Sequence, residues 1–227
     1  MNVKLIRHTL SPEELVALGA RLCYSKSDLS KLEEKISTTD QQEFVGKIMS
    51  MGHESVLEHA SFTFLAEGVS RVLLAQLTRH RMASYSVQSQ RYCGVKLEYV
   101  TPPEIQRSGW KLAYQMICER AFTCYQGMVA DGIQEEDARY VIPSGFCCRL
   151  MVTMNVRELR HFFSLRCCTR AQWEIRDLAK AMLEECRRVA PSLFADAGPG
   201  CVRGRCPEGE KSCGKPWRMY GDKAQQE

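Results

Sequence analysis

Apolar and polar positions alternate along this chain with two different periods, and the changes of period mark its elements. Residues 3–9 are short, mixed and extended in character, which predicts a strand. Ser11-Pro12-Glu13-Glu14 then supplies an N-cap, a first-turn proline and two first-turn acids, so a helix is expected to about Tyr24. Residues 25–40 are polar and serine-rich and read as a mobile surface loop. A helix from about Gln41 to Met51 follows and stops at Gly52. Partial alternation over Ser61-Phe62-Thr63-Phe64-Leu65-Ala66 predicts a strand ending at Glu67-Gly68, and residues 70–78 return to helical spacing.

Pro102-Pro103 breaks the pattern. Beyond it a long helix over about 108–130 carries an apolar stripe through Leu112, Ala113, Met116, Ile117, Ala121 and Cys124, expected to be buried. A short helix over 135–141 ends at Pro143 and Gly145, and residues 146–154 read as a strand. Asn155 is placed to cap a helix reaching Arg166, and Thr169 to open a last helix reaching about Val189. Strands and helices mix without a regular βαβ rhythm or an internal repeat. The expected class is therefore α/β in the broad sense: a single mixed α+β domain over 1–195, with a central sheet flanked by long helices. Past Pro191 the composition turns to Gly, Pro, Cys and charge, so residues 196–227 are expected to form a flexible C-terminal extension outside the core.

At 227 residues, with 26% charged positions and a net charge of +4, the chain has the balance of a globular protein and length enough for a real core. No apolar run approaches the ~20 residues of a membrane span, and the first residues lack the apolar stretch of an export signal. A cytoplasmic location is expected, with no membrane partner. Twelve cysteines would fit a disulfide framework in a small secreted protein. Four of them form the adjacent pairs Cys147-Cys148 and Cys167-Cys168, whose side chains diverge, so reduced thiols acting as small buried hydrophobes are the expectation.

Charge changes the picture more than its total does. Residues 68–97 contain no Asp or Glu, yet hold Arg71, Arg79, His80, Arg81, Arg91 and Lys96, interleaved with Thr78, Ser84, Ser86, Gln88, Ser89 and Gln90. Guanidinium groups give paired, charge-assisted hydrogen bonds to phosphate, and hydroxyls and amides fill the remaining lone pairs. Residues 138–173 repeat the theme with Arg139, Arg149, Arg157, Arg160, His161, Arg166 and Arg170, and Glu158 as the only acid. On the helix after Asn155, the residues Val156, Leu159 and Phe163 form a core face, while Arg157 and His161 share another. Two sites for phosphorylated ligands are the natural reading. A module that grips single-stranded nucleic acid through the Arg/Tyr loop 79–92, using Tyr85 and Tyr92, is the alternative, although the mild net charge argues for no nucleic-acid partner.

Other chemistry is limited. The segment His53 to His59 begins His-Glu but spaces its histidines too widely for the zinc motif HExxH. Glycine-rich phosphate loops and the GxSxG elbow are absent, and Cys201, Cys206 and Cys213 match no standard zinc spacing, so no metal is expected.

Arg79-His80-Arg81, seven residues, then Ser89-Gln90-Arg91 resembles the signature of the flavin-dependent thymidylate synthases. HESVLEHASFTF, ARYVIPSG at 138–145, NVRELRHFFSLR at 155–166 and AQWEIRDLA at 171–179 resemble the same family in order and spacing, over residues 1–195. The resemblance implies reductive methylation of dUMP to dTMP, with methylenetetrahydrofolate as carbon donor, FAD as hydride carrier, NADPH as reductant and no cysteine nucleophile. It implies that His53, Ser55, Arg79, His80, Arg81, Asn155, Arg157 and His161 bind the cofactor. It assigns dUMP to Gln76, Arg79, Val87, Gln88, Ser89, Gln90, Arg91, Arg139 and Arg166, with Arg166 as the catalytic residue that activates the uracil ring. It implies a homotetramer with active sites at subunit interfaces. The chain departs from the family at Val87, His161 and Arg170, where many members carry Glu, Asn and His.

Overall fold

The computed structural model describes residues 1–38 and 41–217. Its strands are β1 (Asn2–His8), β2 (Ser61–Ser70), β3 (Ala83–Val87) and β4 (Cys147–Asn155). Its helices are α1 (Pro12–Tyr24), α2 (Leu29–Thr38), α3 (Gln41–Ser50), α4 (Arg71–Leu77), α5 (Pro103–Arg107), α6 (Lys111–Ala130), α7 (Glu135–Ala138), α8 (Val156–Arg166), α9 (Trp173–Val189) and α10 (Pro191–Phe194). The strands form one sheet in the order β1-β2-β4-β3. Pairing is antiparallel: as β2 advances from Thr63 to Glu67, its partners on β4 retreat from Thr153, whose hydroxyl lies 2.9 Å from that of Thr63, to Arg149. The mixed α+β class expected from the pattern is the one adopted.

Two compact units divide the chain. One comprises Met1–Asn2, Leu65–Arg79 and Tyr85–Met151; the other comprises Val3–Phe64, His80–Ser84 and the chain from Val152 onward. In the first, Leu73 and Leu77 of α4, Cys118 and Tyr125 of α6, and Phe146 are buried. Tyr99 packs edge-on to Tyr114 and tilted against Phe146, with ring centroids 5.9 and 5.7 Å away. The Tyr114 hydroxyl donates to the Val100 carbonyl at 2.9 Å, and burial pushes its pKa up to about 12, which keeps it a donor.

In the second unit, α9 buries Ile175, Leu178, Ala179, Met182, Leu183 and Cys186 at three- and four-residue spacing. Each large side chain so buried contributes roughly 1.5–3 kcal/mol. Phe194 packs edge-on against Phe62 and Phe163, at 5.5 and 6.0 Å.

Several elements differ from expectation. Within the polar stretch 25–40, expected as a loop, α2 forms because Leu32 and Ile36, one turn apart, supply a sufficient apolar stripe and Leu32 is fully buried; residues 39 and 40 lie outside the described residues. The stripe expected to be buried on α6 is not: Leu112, Met116 and Ile117 are 67%, 59% and 62% exposed, because the face this helix turns into its unit runs instead through Tyr114, Cys118 and Tyr125. Ser11 does not cap α1. Its backbone is left-handed (φ 42°, ψ 59°), which turns the hydroxyl away from the first amides, and the turn closes instead from the Leu15 amide to the Ser11 carbonyl at 3.1 Å. The cap of α9 is Gln172, whose side chain accepts from the Glu174 and Ile175 amides, rather than Thr169.

Strand β3 lies inside the basic window, where no strand was expected. The described part of the C-terminal extension is anchored to its own unit by Arg160 on Asp196, Arg170 on Glu208, and Lys180 over the Trp217 ring at 5.4 Å. Residues 218–227 lie outside the described residues.

Candidate functional site

The second acid-poor segment builds its site on α8. Asn155, the last residue of β4, accepts a hydrogen bond from the Glu158 amide at 2.9 Å and so fixes the helix start as expected. Val156, Leu159, Phe162 and Phe163 are buried, and Arg157 and His161 project from the other side. Glu158 and Arg166 sit eight positions apart on this helix, and both reach His80.

His80 is the most constrained polar group of the site. Its Nδ1 lies 3.0 Å from Glu158 Oε1, and Arg166 Nε donates to its Nε2 at 3.0 Å. A guanidinium has no lone pair to offer, so Nε2 must be the unprotonated nitrogen and Nδ1–H must donate to Glu158. The imidazole is therefore neutral, in a single tautomer. Burial lowers its pKa below the ordinary histidine value, and the Arg166 charge adds to this against the opposing pull of the Glu158 hydrogen bond. The Phe162 ring stands edge-on to it at 4.9 Å and His161 at 6.0 Å. Arg166 makes no other hydrogen bond among the described residues, which leaves both its Nη groups for a ligand.

A cavity of about 410 Å³ in the same unit is lined by Asn155, Arg157, Glu158, His161 and Arg203, with Glu54 and Glu58 at its edge. Arg157 is held by Glu58 and lies 3.9 Å from Glu54. His53 and Ser55 belong to the turn carrying those acids but do not line this cavity. His53 Nδ1 is buried without a partner, and the Tyr24 ring stands edge-on to it at 5.6 Å. Arg81 is exposed and makes no side-chain bond among the described residues. Arg166 lines another cavity, of about 500 Å³, with Cys167, Cys168, Thr169, Arg170 and the extension through Trp217.

The other unit gathers the residues expected to hold dUMP. Gln76 is half-buried on α4, Arg79 is exposed just beyond that helix, and Val87 ends β3. The Gln88 amide donates to the Arg149 carbonyl at 2.9 Å, and Ser89 Oγ accepts from the Arg91 amide at 3.1 Å, which turns the chain after β3. Gln88 and Gln90 line a cavity of about 410 Å³ with Glu67, Lys96 and Arg149. Arg91 bonds the Glu136 carboxylate at 2.7 Å while Arg139 Nε donates to the Glu136 carbonyl at 3.0 Å. One acid therefore brings together Arg91 and Arg139, which are far apart in the sequence.

Reading both acid-poor segments as open to phosphate is corrected in part. Arg160 is spent on Asp196, Arg170 on Glu208 and the Lys211 carbonyl, and Arg149 on Glu67, partners that all come from other parts of the chain. Sequence reasoning also missed Glu58, Glu136 and Glu158 as organisers of the site. The only usable signal was that Glu158 stands alone among so many cations. All twelve cysteines are free thiols, and among the described residues no group of three or more His, Cys, Asp or Glu is placed to hold a metal ion. No helix among them is long and apolar enough to cross a membrane.

The fold is that of a crystal structure of the UMP/dUMP methylase PolB from Streptomyces cacaoi bound with 5-Br dUMP. The TM-score is 0.73 at 24% identity, covering 85% of this chain and 92% of that one. The family model described as thymidylate synthase complementing protein matches residues 4–192. The flavin-dependent thymidylate synthase of Geobacter sulfurreducens is 50% identical over 219 residues, covering 95% of this chain and 94% of its own. That of Clostridium tetani is 45% identical, covering 96% and 95%. The chain belongs to the flavin-dependent thymidylate synthase family. By that membership it is an enzyme, a flavoprotein methyltransferase of nucleotide biosynthesis.

Proposed function

We propose that the protein methylates dUMP reductively to dTMP, taking the carbon from methylenetetrahydrofolate and using FAD with NADPH as reductant. The observation that carries this reading is Arg166, a permanently charged group whose Nε is fixed by a neutral histidine and whose Nη groups have no partner among the described residues. Uracil C5 is a poor nucleophile until electron density is pushed into the ring. A guanidinium at the uracil edge stabilises the anion left when N3 loses its proton, and so favours that density. Arg91, Ser89, Gln90, Arg139 and Arg79, with Gln76, Val87 and Gln88, would hold the nucleotide and its phosphate.

His53, Ser55, Arg79, His80, Arg81, Asn155, Arg157 and His161 would hold the flavin. Arg157 and Arg203 line a cavity beside a capped helix start, together with Glu54, Glu58 and Glu158, so Arg157 would meet a pyrophosphate only by exchanging Glu58 for it. Bound FAD, once reduced by NADPH, would supply the hydride, which is the chemistry that would let the reaction proceed without a cysteine adduct. At about 410 Å³ this cavity is near the small end of ligand pockets, so further walls are needed for a whole dinucleotide. A homotetramer with active sites at its subunit interfaces would provide them, and the exposed face of Trp110, Leu112, Met116 and Ile117 is the kind of apolar surface such contacts bury. A cytoplasmic location fits the same reading.

The test is dTMP formation by the purified protein with dUMP, methylenetetrahydrofolate, FAD and NADPH, each omitted in turn. Product should require all four. Product formed without flavin, or a protein that takes up no FAD, would overturn the proposal.

A further inference from the structure

We propose that Glu158 is a positioning residue for Arg166, acting through the His80 ring. This inference rests on the role proposed for Arg166 and adds to it the group that sets that side chain's orientation.

An imidazole free to choose its tautomer would present either a lone pair or an N–H to Arg166, and only the lone pair is compatible with the guanidinium. Glu158 makes the choice. Its carboxylate accepts a hydrogen bond from Nδ1–H, with 3.0 Å between nitrogen and oxygen, and the lone pair is then left on Nε2, facing Arg166 Nε at 3.0 Å. The chain's own geometry keeps this arrangement in place. The Glu158 amide is tied to the Asn155 side chain, the carboxylate is only 11% exposed, and His80 is packed against Phe162. Among the described residues, Glu158, Arg166 and His161 are charged or titratable groups that face His80. Protonating the ring would put an N–H on Nε2 against the Arg166 Nε–H and break the chain of bonds, so the device works only while His80 is neutral. With Nε occupied, the side chain is restrained at its elbow and can present its Nη edge to a ligand in a limited set of orientations, which is what a transition-state contact requires.

The experiment compares Glu158→Ala, Glu158→Met and Glu158→Gln in the flavin-loaded enzyme, with near-UV circular dichroism and flavin absorbance confirming the fold and the loading. Glutamine keeps an acceptor oxygen and alanine and methionine do not. Glu158→Ala should lower kcat by about ten- to a hundredfold, the range expected for losing one oriented contact, with a much smaller change in KM for dUMP. Glu158→Gln should restore most of that loss. Relative to the unaltered enzyme, the Glu158→Ala deficit should shrink as pH rises, because uracil that has lost its N3 proton to solvent needs the guanidinium less. Glu158→Met serves where the alanine variant does not fold. Added to Arg166→Ala, the Glu158→Ala change should cost nothing more.

A Glu158→Ala enzyme within twofold of the unaltered one, a glutamine variant as poor as alanine, or additive losses in the double variant would each overturn the positioning role. An Arg166→Ala enzyme that turns over normally would instead overturn the function proposed for the site, and the two failures are thereby told apart.

Discussion

Replacing Asp196 with alanine would strand a buried cation. The Arg160 side chain is 5% exposed, and its guanidinium bonds Asp196 through Nη1 at 2.7 Å and Nη2 at 3.0 Å, with the Leu193 carbonyl as its remaining partner at 2.8 Å. Breaking a fully buried pair by removing one partner costs about 3–5 kcal/mol. The Asp196 side chain is 37% exposed, so water screens part of the interaction and reaches part of the vacated space. About 2–3 kcal/mol is the appropriate figure, and for a chain of this size it corresponds to a fall in Tm of roughly 4–12 °C. Thermal unfolding followed by circular dichroism at pH 7 measures it.

The pair also carries a pH signature. Burial alone would raise the Asp196 pKa, but the hydrogen bonds and charge of Arg160 outweigh it and hold the carboxyl below its ordinary range. A carboxyl whose folded-state pKa is depressed contributes stability that is complete above its unfolded value, near ~4, and lost as pH falls through the folded value. The gap between the two proteins should therefore close in acid. A Tm change within about 1 °C at pH 7, or a gap independent of pH, would show that Arg160 is solvated and not dependent on Asp196.

Other outcomes follow from the same geometry. Arg91→Ala should weaken dUMP binding more than FAD binding, measured by calorimetry with each ligand, since Arg91 shares Glu136 with Arg139 and its amide is bonded by Ser89; equal losses would mean that the two ligands are wrongly divided. Among the thiols, Cys213 should be alkylated well before Cys167. Hydrogen bonds lower the Cys213 pKa, first from Thr169 and then at Lys215, whereas burial pushes Cys167 up to about 12. Timed iodoacetamide labelling read by mass spectrometry would show this order, and simultaneous labelling would contradict it.

Local chemistry was legible in the sequence wherever it depends on neighbours a few residues apart. The start of α8 at Asn155, the division of that helix into a buried and a polar side, and the proline break before α5 all rest on such short-range effects. What escaped was set by residues far away. Whether an arginine is free for a ligand depends on acids 36 to 99 positions distant: Asp196 for Arg160, Glu136 for Arg91, Glu58 for Arg157. A window without acids is therefore not a surface without them. The stripe on α6 failed for the converse reason, since periodicity reports that a face is apolar but not what covers it. Helix α2 was lost because three apolar residues among charges and hydroxyls carry little compositional weight, although Leu32 is fully buried.

The claim on which most depends is that Arg166 activates uracil for methylation without a covalent cysteine adduct. Release of tritium from C5-labelled dUMP tests it directly, with the unaltered protein and Arg166→Ala compared at equal flavin loading and in the presence of methylenetetrahydrofolate and NADPH. The unaltered enzyme should release tritium in step with dTMP, and Arg166→Ala should bind flavin yet release almost none. Tritium release by Arg166→Ala at the unaltered rate would contradict the account.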